Sequence, residues 1–272
     1  MSMVVSKFCI YHITAPGQQA DDTPSPSYPS MDQLSEVVEY VCHNYGIPTF
    51  VGMGVGLGAN VMVRLAARRP KLVDGLILIN CDSQKAGWVE WGYHKVNMKN
   101  IKKSKTLDDS VVEYLIWYHL GSLDKDRGLD VVSLASIYRQ YFQTEVLSSN
   151  LAQLIQSYMN RSDLGLVRDL APNGKTIIGG KRTLKMPVLN MVGDKSPHVD
   201  ATVTFNGRLD PTKCTWMKIR DAAMILEEQP NTVAEAISLF LQGLGYIIKK
   251  GPVHSAPHFF KEFAQEQISQ TP

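Results

Sequence analysis

The chain has 272 residues, 44% of them hydrophobic, and a formal net charge of +2. Its length and apolar content suit one large α/β domain or two smaller ones, and so small a charge argues against nucleic acid as a partner. No apolar run approaches the ~18 residues of a membrane span, and the scattered cysteines form neither a disulfide framework nor a zinc motif. We therefore expect a cytoplasmic protein without a transmembrane segment, a metal or a cofactor. The four cysteines are Cys9, Cys42, Cys81 and Cys214.

The first predicted elements are a short strand and a helix. Residues 8–13 are apolar and rich in β formers, and Pro16 and Gly17 end that run. Ser30 is a good N-cap for a helix over residues 31–45. The predicted apolar face of this helix comprises Leu34, Val37, Val38 and Val41.

Glycines at every second position mark the most distinctive stretch of the chain, residues 50–69. An apolar strand over residues 49–51 is followed by a glycine turn and then by a helical pattern that Pro70 ends. Glycine recurs where a backbone turns sharply, or where a helix and a strand approach each other closely. The pattern therefore predicts a strand, a tight turn and a helix.

Three interpretations of this turn stay open. In α/β-hydrolases the corresponding turn reads G-x-S-x-G, and residues 52–56 fit that spacing with Gly54 in the place of the serine. Residues 54–59 fit the dinucleotide fingerprint G-x-G-x-x-G/A. Asp82 would then bind the ribose, although it follows Gly54 by 28 residues instead of ~20. The third interpretation is a closely packed turn that binds nothing.

Later strands and helices indicate the fold class. Residues 73–80 and 186–192 are nearly all apolar, which is typical of strands buried on both faces of a parallel sheet. Residues 214–219 are a further predicted strand, and a helix follows over residues 231–244. This order predicts an α/β fold with right-handed crossovers, and a ligand crevice, if there is one, at the carboxyl ends of the strands.

Amphipathic helices without a convincing strand fill residues 81–175, where an α/β-hydrolase carries a cap. They are predicted over residues 87–97, 107–120, 131–142 and 151–159, the last with Asn150 as its N-cap. His94 and His119 lie here without the further ligands that a metal site needs. The predicted division is a core at 1–83, a cap at 84–175, the rest of the core at 176–245 and a loose tail at 246–272.

The other two positions of a hydrolase triad follow the last two core strands. The acid normally stands in a G-x-x-D-like turn, where this chain has Ser196, with Asp194 close by. The histidine normally stands seven residues before the proline of the final helix, and counting back from Pro230 gives Ala223. With Gly54, Ser196 and Ala223 in the three places, the chain lacks the base that activates a hydroxyl. The sequence therefore predicts a protein that is not an enzyme.

Several of these segments resemble the N-myc downstream-regulated (NDRG) family of α/β-hydrolase-like proteins, which are regarded as non-enzymatic. The matching segments are HITAPGQ at 12–18, YPSMDQL at 28–34, GMGVGLGA at 52–59, LIN at 78–80, GWVEW at 87–91, VGDKSP at 192–197, LDPT at 209–212 and LQGLGY at 241–246. The resemblance implies a parallel sheet with a helical cap insert. It also implies a non-catalytic scaffold or adaptor in cytoplasmic signal transduction, stress response or vesicle traffic.

The expected partners of such a protein are other proteins, while peripheral association with a membrane stays open. Binding surfaces are enriched in aromatic residues, so the candidate contacts are the cap tryptophans Trp88, Trp91 and Trp117, although aromatic side chains more often serve packing. A hydrolase with an atypical nucleophile, Ser83 or Ser196, is the alternative function, and a nucleotide-binding protein is another.

Two departures from the family complete the expectations. Family members carry extra strands ahead of residues 8–13, so we expect the first strands of the fold to be missing. One missing strand would separate residues 8–13 from residues 49–51, which predicts either a gap or a direct pairing of these two strands. The tail lacks the Arg-, Ser- and Thr-rich repeats of the family, so phosphorylation of that kind is not implied.

Overall fold

The computed structural model describes residues 8–19, 23, 27–87, 107–124, 127–168 and 183–246. The chain divides into two compact units, Ile13–Gln229 and a smaller unit that joins Met1–His12 to Pro230–Pro272. In the larger unit the strands are β1 (Phe50–Val55), β2 (Val73–Ile79), β3 (Val188–Gly193) and β4 (Cys214–Ile219). Its helices are α1 (Met31–Asn44), α2 (Leu57–Arg68), α3 (Asp109–Leu120), α4 (Gly128–Thr144), α5 (Ser148–Met159), α6 (Val199–Asn206) and the short α7 (Ile225–Glu228). The smaller unit contains α8 (Pro230–Gly243).

The described strands form one parallel sheet in the order β1-β2-β3-β4. β2 pairs with β1 from Val51 opposite Gly75 to Val55 opposite Ile79, and it pairs with β3 on its other side. The two central strands are almost entirely buried, which explains their nearly continuous apolar sequences. The predicted α/β class with a parallel sheet is confirmed.

Buried side chains of the sheet and of helices α1, α2 and α6 contribute to two of the clusters in the larger unit. The first contains Ala59, Val63 and Ala66 of α2, Val73, Leu76 and Leu78 of β2, Val188 of β3, and Phe205 of α6. The second joins Met31, Leu34, Val38 and Cys42 of α1 to Val61 and Leu65 of α2. Since a fully buried aliphatic side chain stabilises the fold by roughly 1.5–3 kcal/mol, these contacts fix α2 between α1 and the sheet.

Helix α1 begins where the sequence predicts. The Ser30 Oγ accepts a hydrogen bond from the Gln33 backbone N–H, and the Gln33 side chain accepts one from the Ser30 N–H, which completes a capping box. The predicted apolar face is only partly correct, because Val37 is 37% exposed. The buried residues are Met31, Leu34, Ser35, Val38 and Cys42.

Residues 8–13 are not a strand, so that prediction is wrong. Ile10, Tyr11 and Ile13 are 43%, 48% and 40% exposed. β formers make a strand only by pairing with another strand, and no described strand pairs with this segment. Of the two predicted outcomes, direct pairing is therefore not found, and β1 lies at the edge of the described sheet.

Helices α3, α4 and α5 lie between β2 and β3 in the chain, which confirms the helical insert. Asn150 is not an N-cap: Leu147 occupies that position, and Asn150 lies inside α5. Its buried side-chain amide donates to the carbonyl oxygens of Gly17 (2.9 Å) and Thr23 (3.0 Å), so it anchors the segment ahead of α1. The helix predicted at residues 87–97 falls outside the described residues beyond residue 87, and the boundaries at 83/84, 175/176 and 245/246 stay predictions.

Candidate functional site

The corner between β1 and α2 lies at Gly56. Strand β1 continues through Gly52 and Gly54 to Val55, and the chain then turns at Gly56 with φ 51° and ψ −109°. The Gly56 N–H donates to the Ile79 carbonyl oxygen of β2 at 2.9 Å. Apart from Gly56 itself and its two chain neighbours, no heavy atom of the described residues lies within 4 Å of a Cβ atom built on Gly56. In an α/β-hydrolase the corresponding corner holds the nucleophile in a strained conformation, which glycine adopts without strain.

Gly54 has a different role, so its assignment to the nucleophile position is wrong. A Cβ atom on Gly54 would lie 2.5 Å from the backbone nitrogen of Ala59 and 2.5 Å from the carbonyl carbon of Gly58. Gly54 therefore allows β1 and α2 to pack backbone against backbone. Because glycines alternate, G-x-G-x-G spacing fits both residues 52–56 and residues 54–58, and only the end of the strand distinguishes the two frames. The conclusion about chemistry is unchanged, since Gly56 has no side chain either.

The loop after β3 carries the residue at the predicted acid position. Ser196 is buried, and its hydroxyl donates to the Asn80 Oδ1 at 3.3 Å and accepts from the His198 backbone N–H at 3.2 Å. Asn80 follows β2 directly and has φ 53°, a left-handed conformation. Asp194 lies in the same loop, and its backbone N–H donates to the Ile219 carbonyl oxygen at 2.8 Å. Ser196 thus joins a buried polar contact between the ends of β2 and β3.

The loop after β4 carries Ala223 at the predicted histidine position. Ala223 is fully buried, and the backbone N–H groups of Ala223 and Met224 both donate to the Glu228 Oε1 at 2.8 Å. The other carboxylate oxygen of Glu228 accepts from Arg127 Nη2 at 2.7 Å, with only 6% and 5% of the two side chains exposed. A methyl group stands here, and a methyl group transfers no proton.

The end of α3 closes the space between these two loops. A Cβ atom on Gly121 would collide with the Lys195 carbonyl oxygen and would lie 3.4 Å from the Ala223 Cβ. Arg127 also donates to the Leu120 carbonyl oxygen at 3.0 Å, which ties the same end of α3 to Glu228. We call the contacts of Gly121, Lys195, Ala223, Arg127 and Glu228 the closed edge.

His198 is the histidine nearest to these loops in sequence, but its contacts do not suit a general base for Ser196. Its Nε2 lies 2.9 Å from the Tyr118 carbonyl oxygen, and because a carbonyl only accepts, Nε2 carries the proton. The ring also packs edge-on against the Tyr118 ring, with 4.4 Å between centroids. The hydrogen bond that joins His198 to Ser196 uses the backbone N–H and not the imidazole.

Other candidate nucleophiles are buried. Ser83 has no exposed surface. Burial raises the pKa of the Cys81 thiol well above its ordinary value, and the neighbouring Asp82 carboxylate raises it further. A thiol in that environment stays protonated and unreactive.

The structure weakens the nucleotide interpretation of the glycine turn. The Asp82 carboxylate accepts from Arg161 Nη2 at 2.6 Å and from the Gln84 backbone N–H at 2.8 Å. The Arg161 side chain is fully buried. A carboxylate that is needed to neutralise a buried guanidinium is not available for a ribose hydroxyl.

Of the cap tryptophans and histidines named in the sequence analysis, only Trp117 and His119 are among the described residues. Trp117 of α3 is 44% exposed, with its ring centroid 5.7 Å from that of Tyr114. Trp88, Trp91 and His94 lie outside the described residues. His119 Nε2 lies 3.2 Å from the Tyr138 hydroxyl, which also donates to Glu227, and burial and that carboxylate raise the pKa of Tyr138.

The described residues contain neither a metal-binding cluster nor a membrane-spanning helix. In those ranges, no three His, Cys, Asp or Glu side chains are grouped so that they could hold a metal ion. Within the same part of the chain, no helix has the length and apolar character needed to cross a bilayer.

Sequence reasoning missed the residues that close the edge. Arg127 and Glu228 are 101 residues apart, and both stand in polar segments that read as surface. Gly121 carried the only local indication, since a glycine directly after a helical pattern is a frequent C-terminal cap. The contact of Gly121 with Lys195 and Ala223 could not be predicted, because both residues lie more than 70 positions from Gly121 in the sequence.

Comparisons with known sequences indicate one family. The sequence model of the Ndr family matches residues 1–248. Protein NDRG1 and Protein NDRG3 of Xenopus tropicalis are each 36% identical to the chain over 251 residues. These matches cover 91% of the chain but only 59% and 61% of the two relatives, so the chain spans less than two thirds of their length.

Solved structures with the same fold are esterases and other α/β hydrolases. A thermophilic esterase from Thermogutta terrifontis has a TM-score of 0.66 at 17% identity, covering 83% of this chain and 77% of that chain. MGS-M2, an α/β hydrolase from a Medee basin deep-sea metagenome library, has a TM-score of 0.64 at 14% identity, with coverage of 86% and 78%. Identities this low are evidence for the fold alone. Because the family match extends over residues 1–248, the chain belongs to the Ndr family, and its fold is α/β-hydrolase-like.

Proposed function

We propose that this chain is a non-catalytic scaffold or adaptor that uses an α/β-hydrolase-like fold to bind protein partners. The observation that carries the proposal is Gly56. It stands at the corner where a hydrolase of this fold presents its serine, and it has no side chain with which to attack a substrate.

The rest of the triad supports the same proposal. A hydroxyl becomes a nucleophile only with a base in hydrogen-bond reach, and the methyl group of Ala223 stands where that base is expected. Gly121 packs against the same loop and Ala223 is fully buried, so an imidazole in place of the methyl group would overpack this loop. Both features act together, because restoring a serine alone would restore neither the base nor the space.

The biological setting is part of the proposal. We place the role in the cytoplasm, in signal transduction, stress response or vesicle traffic, on the basis of the family that the sequence resembles. All four cysteines are unpaired, which suits a reducing compartment. Trp117 is the described candidate for a partner contact, and Trp88 and Trp91 stay candidates from the sequence.

A test for catalysis compares the protein with two variants, Gly56→Ser and the double variant Gly56→Ser with Ala223→His. Each is mixed with p-nitrophenyl acetate and, separately, with a fluorophosphonate probe that labels activated serines. We expect all three proteins to hydrolyse the ester no faster than an equal mass of an inert protein, and none to be labelled. The double variant should stay inactive because Ala223 is fully buried, so the larger imidazole would have to displace its neighbours.

One result of the ester assay would contradict the non-catalytic role. Ester turnover that co-purifies with the unmodified protein, disappears on heating and is abolished by Ser83→Ala or Ser196→Ala would overturn the proposal. It would then establish the alternative, a hydrolase with an atypical nucleophile.

A further inference from the structure

Helices α3 and α4 form an antiparallel hairpin with a defined register. Glu113 Oε1 of α3 accepts from Arg139 Nε of α4 at 2.5 Å, and Asp109 Oδ1 accepts from the Gln143 side-chain amide at 3.1 Å. From the first pair to the second, the residue number falls by four in α3 and rises by four in α4, as expected for antiparallel helices. Continued in the other direction, the same register places Trp117 opposite Ala135. Ala135 is fully buried, and Val132 and Ser136 are exposed beside it.

Large apolar side chains are exposed on the outside of this hairpin. Leu129 is 85% exposed, Val132 is 46% exposed and Trp117 is 44% exposed, with Tyr114 packed beside Trp117. We call Tyr114, Trp117, Leu129 and Val132 the hairpin surface. Ala135 is the fully buried residue of α4, and Leu134, Tyr138 and Phe142 pack against the same core cluster, whereas Leu129 and Val132 are exposed. Exposed apolar side chains grouped on one face indicate an interaction site.

The described charges of α3, α4 and their flanking residues have one predominant sign. The exposed carboxylates of residues 107–124 and 127–145 are those of Asp108, Asp109, Glu113, Asp124, Asp130 and Glu145. The arginines of the same described ranges are Arg127, which is buried against Glu228, and Arg139, which pairs with Glu113. In the described part of these two helices, exposed carboxylates therefore outnumber arginines.

Exposed apolar side chains together with carboxylates indicate which kind of partner this surface could bind. Negative charge repels nucleic acid and anionic lipid, whereas it attracts lysine and arginine side chains. A two-helix surface with an apolar centre fits an amphipathic helix that places apolar anchors at i, i+3, i+4 and i+7. We propose, on the basis of the scaffold role proposed above, that the hairpin surface binds a basic amphipathic helix of a partner protein.

The test uses a labelled peptide of about 18 residues, with leucines at helical spacing and lysines elsewhere, and measures binding by fluorescence anisotropy. Two control peptides are a scrambled isomer of the same composition and an isomer with glutamate in place of lysine. We expect the leucine-lysine peptide to bind at least about tenfold more tightly than the scrambled isomer, because only the first forms one apolar face. The glutamate peptide should not bind, and raising the salt from about 50 to about 300 mM should weaken binding.

Variants then locate the site. Trp117→Ala and Leu129→Ser should each weaken peptide binding at least about fivefold, since both remove apolar anchors. The double variant Asp124→Asn with Asp130→Asn should weaken binding at low salt and reduce its salt dependence. Leu239→Ser and Glu235→Gln are matched controls on α8, where Leu239 is 57% exposed and Glu235 is exposed, and they should bind like the unmodified protein. Melting temperatures verify that all variants are folded.

Three results would overturn the inference: equal binding of the scrambled peptide, equal binding by the Trp117 and Leu239 variants, or Trp117-dependent binding to vesicles of anionic lipid. None of these results involves ester turnover. Failure at this surface is therefore distinguishable from failure of the non-catalytic role, which the ester assay tests alone.

Discussion

Helix α3 takes part in two regions of opposite character. Its carboxyl end belongs to the closed edge, where Gly121 fits against the Lys195 backbone and the Arg127–Glu228 ion pair is 6% and 5% exposed. Its outer side belongs to the hairpin surface, where Trp117 is 44% exposed and the Glu113–Arg139 ion pair is 55% and 32% exposed. Close packing restricts the side chains of the first region, while those of the second are largely exposed to solvent. The loops after β3 and β4 thus pack closely against the end of α3, while exposed apolar side chains lie on the outside of the hairpin.

The largest expected difference between the two regions is at their glycines. Gly121 and Gly128 both have left-handed φ angles, +71° and +75°, but only Gly121 is enclosed. We expect Gly121→Ala to lower the free energy of unfolding by about 3 kcal/mol or more, because backbone strain and a collision with the Lys195 carbonyl act together. Gly128→Ala should lower it by about 1–2 kcal/mol, from strain alone. Urea denaturation measures both values, and equal losses would mean that the edge is not closed.

The arginines give the second contrast. Arg127→Met leaves the Glu228 carboxylate buried without its cation, so we expect a loss of about 3–5 kcal/mol in the free energy of unfolding. Arg139→Met removes an exposed partner of Glu113 and should cost less than about 1 kcal/mol. The same denaturation experiment tests both, with methionine keeping much of the arginine volume. A small loss at Arg127 would show that water reaches the closed edge.

The smallest effect concerns acid stability on the hairpin. The hydrogen bond from Arg139 lowers the pKa of Glu113 below its ordinary value of 4.5. Because the folded pKa is below the unfolded one, this pair stabilises the protein above about pH 4.5, and the contribution disappears as the pH falls through the folded value. Screening at so exposed a pair limits the effect to about 0.5 kcal/mol.

Glu113→Gln isolates that contribution. We expect the variant to be slightly less stable than the unmodified protein at pH 7 and equally stable near pH 3, as measured by urea denaturation at both values. Glu235→Gln on α8 is the control for removing an exposed carboxylate. A difference that is the same at both pH values would rule out the ion pair as its cause.

The sequence by itself determined the features that depend on neighbours along the chain. Alternating strand and helix patterns predicted the parallel sheet, the nearly apolar residues 73–80 predicted a central strand, and Ser30 predicted the start of α1, all of which the structure confirms. The sequence also showed that no serine, base or acid stands at the expected triad positions, because residue identities and spacing are enough to establish this. These features are local, since side-chain periodicity and capping involve residues within about one turn of each other.

Tertiary structure decided everything that joins distant segments. It placed the corner of the turn at Gly56 and gave Gly54 a packing role, because the length of β1 is set by its pairing with β2. In the tertiary structure residues 8–13 lie outside the described sheet and pair with none of its strands. Asn150 is not the predicted cap, and its side chain instead binds the carbonyl groups of Gly17 and Thr23. The closed edge depends on Gly121 meeting Lys195 and on Arg127 meeting Glu228, 101 residues away. Such contacts depend on how helices and strands pack against each other in three dimensions, so the periodicity of the sequence does not predict them.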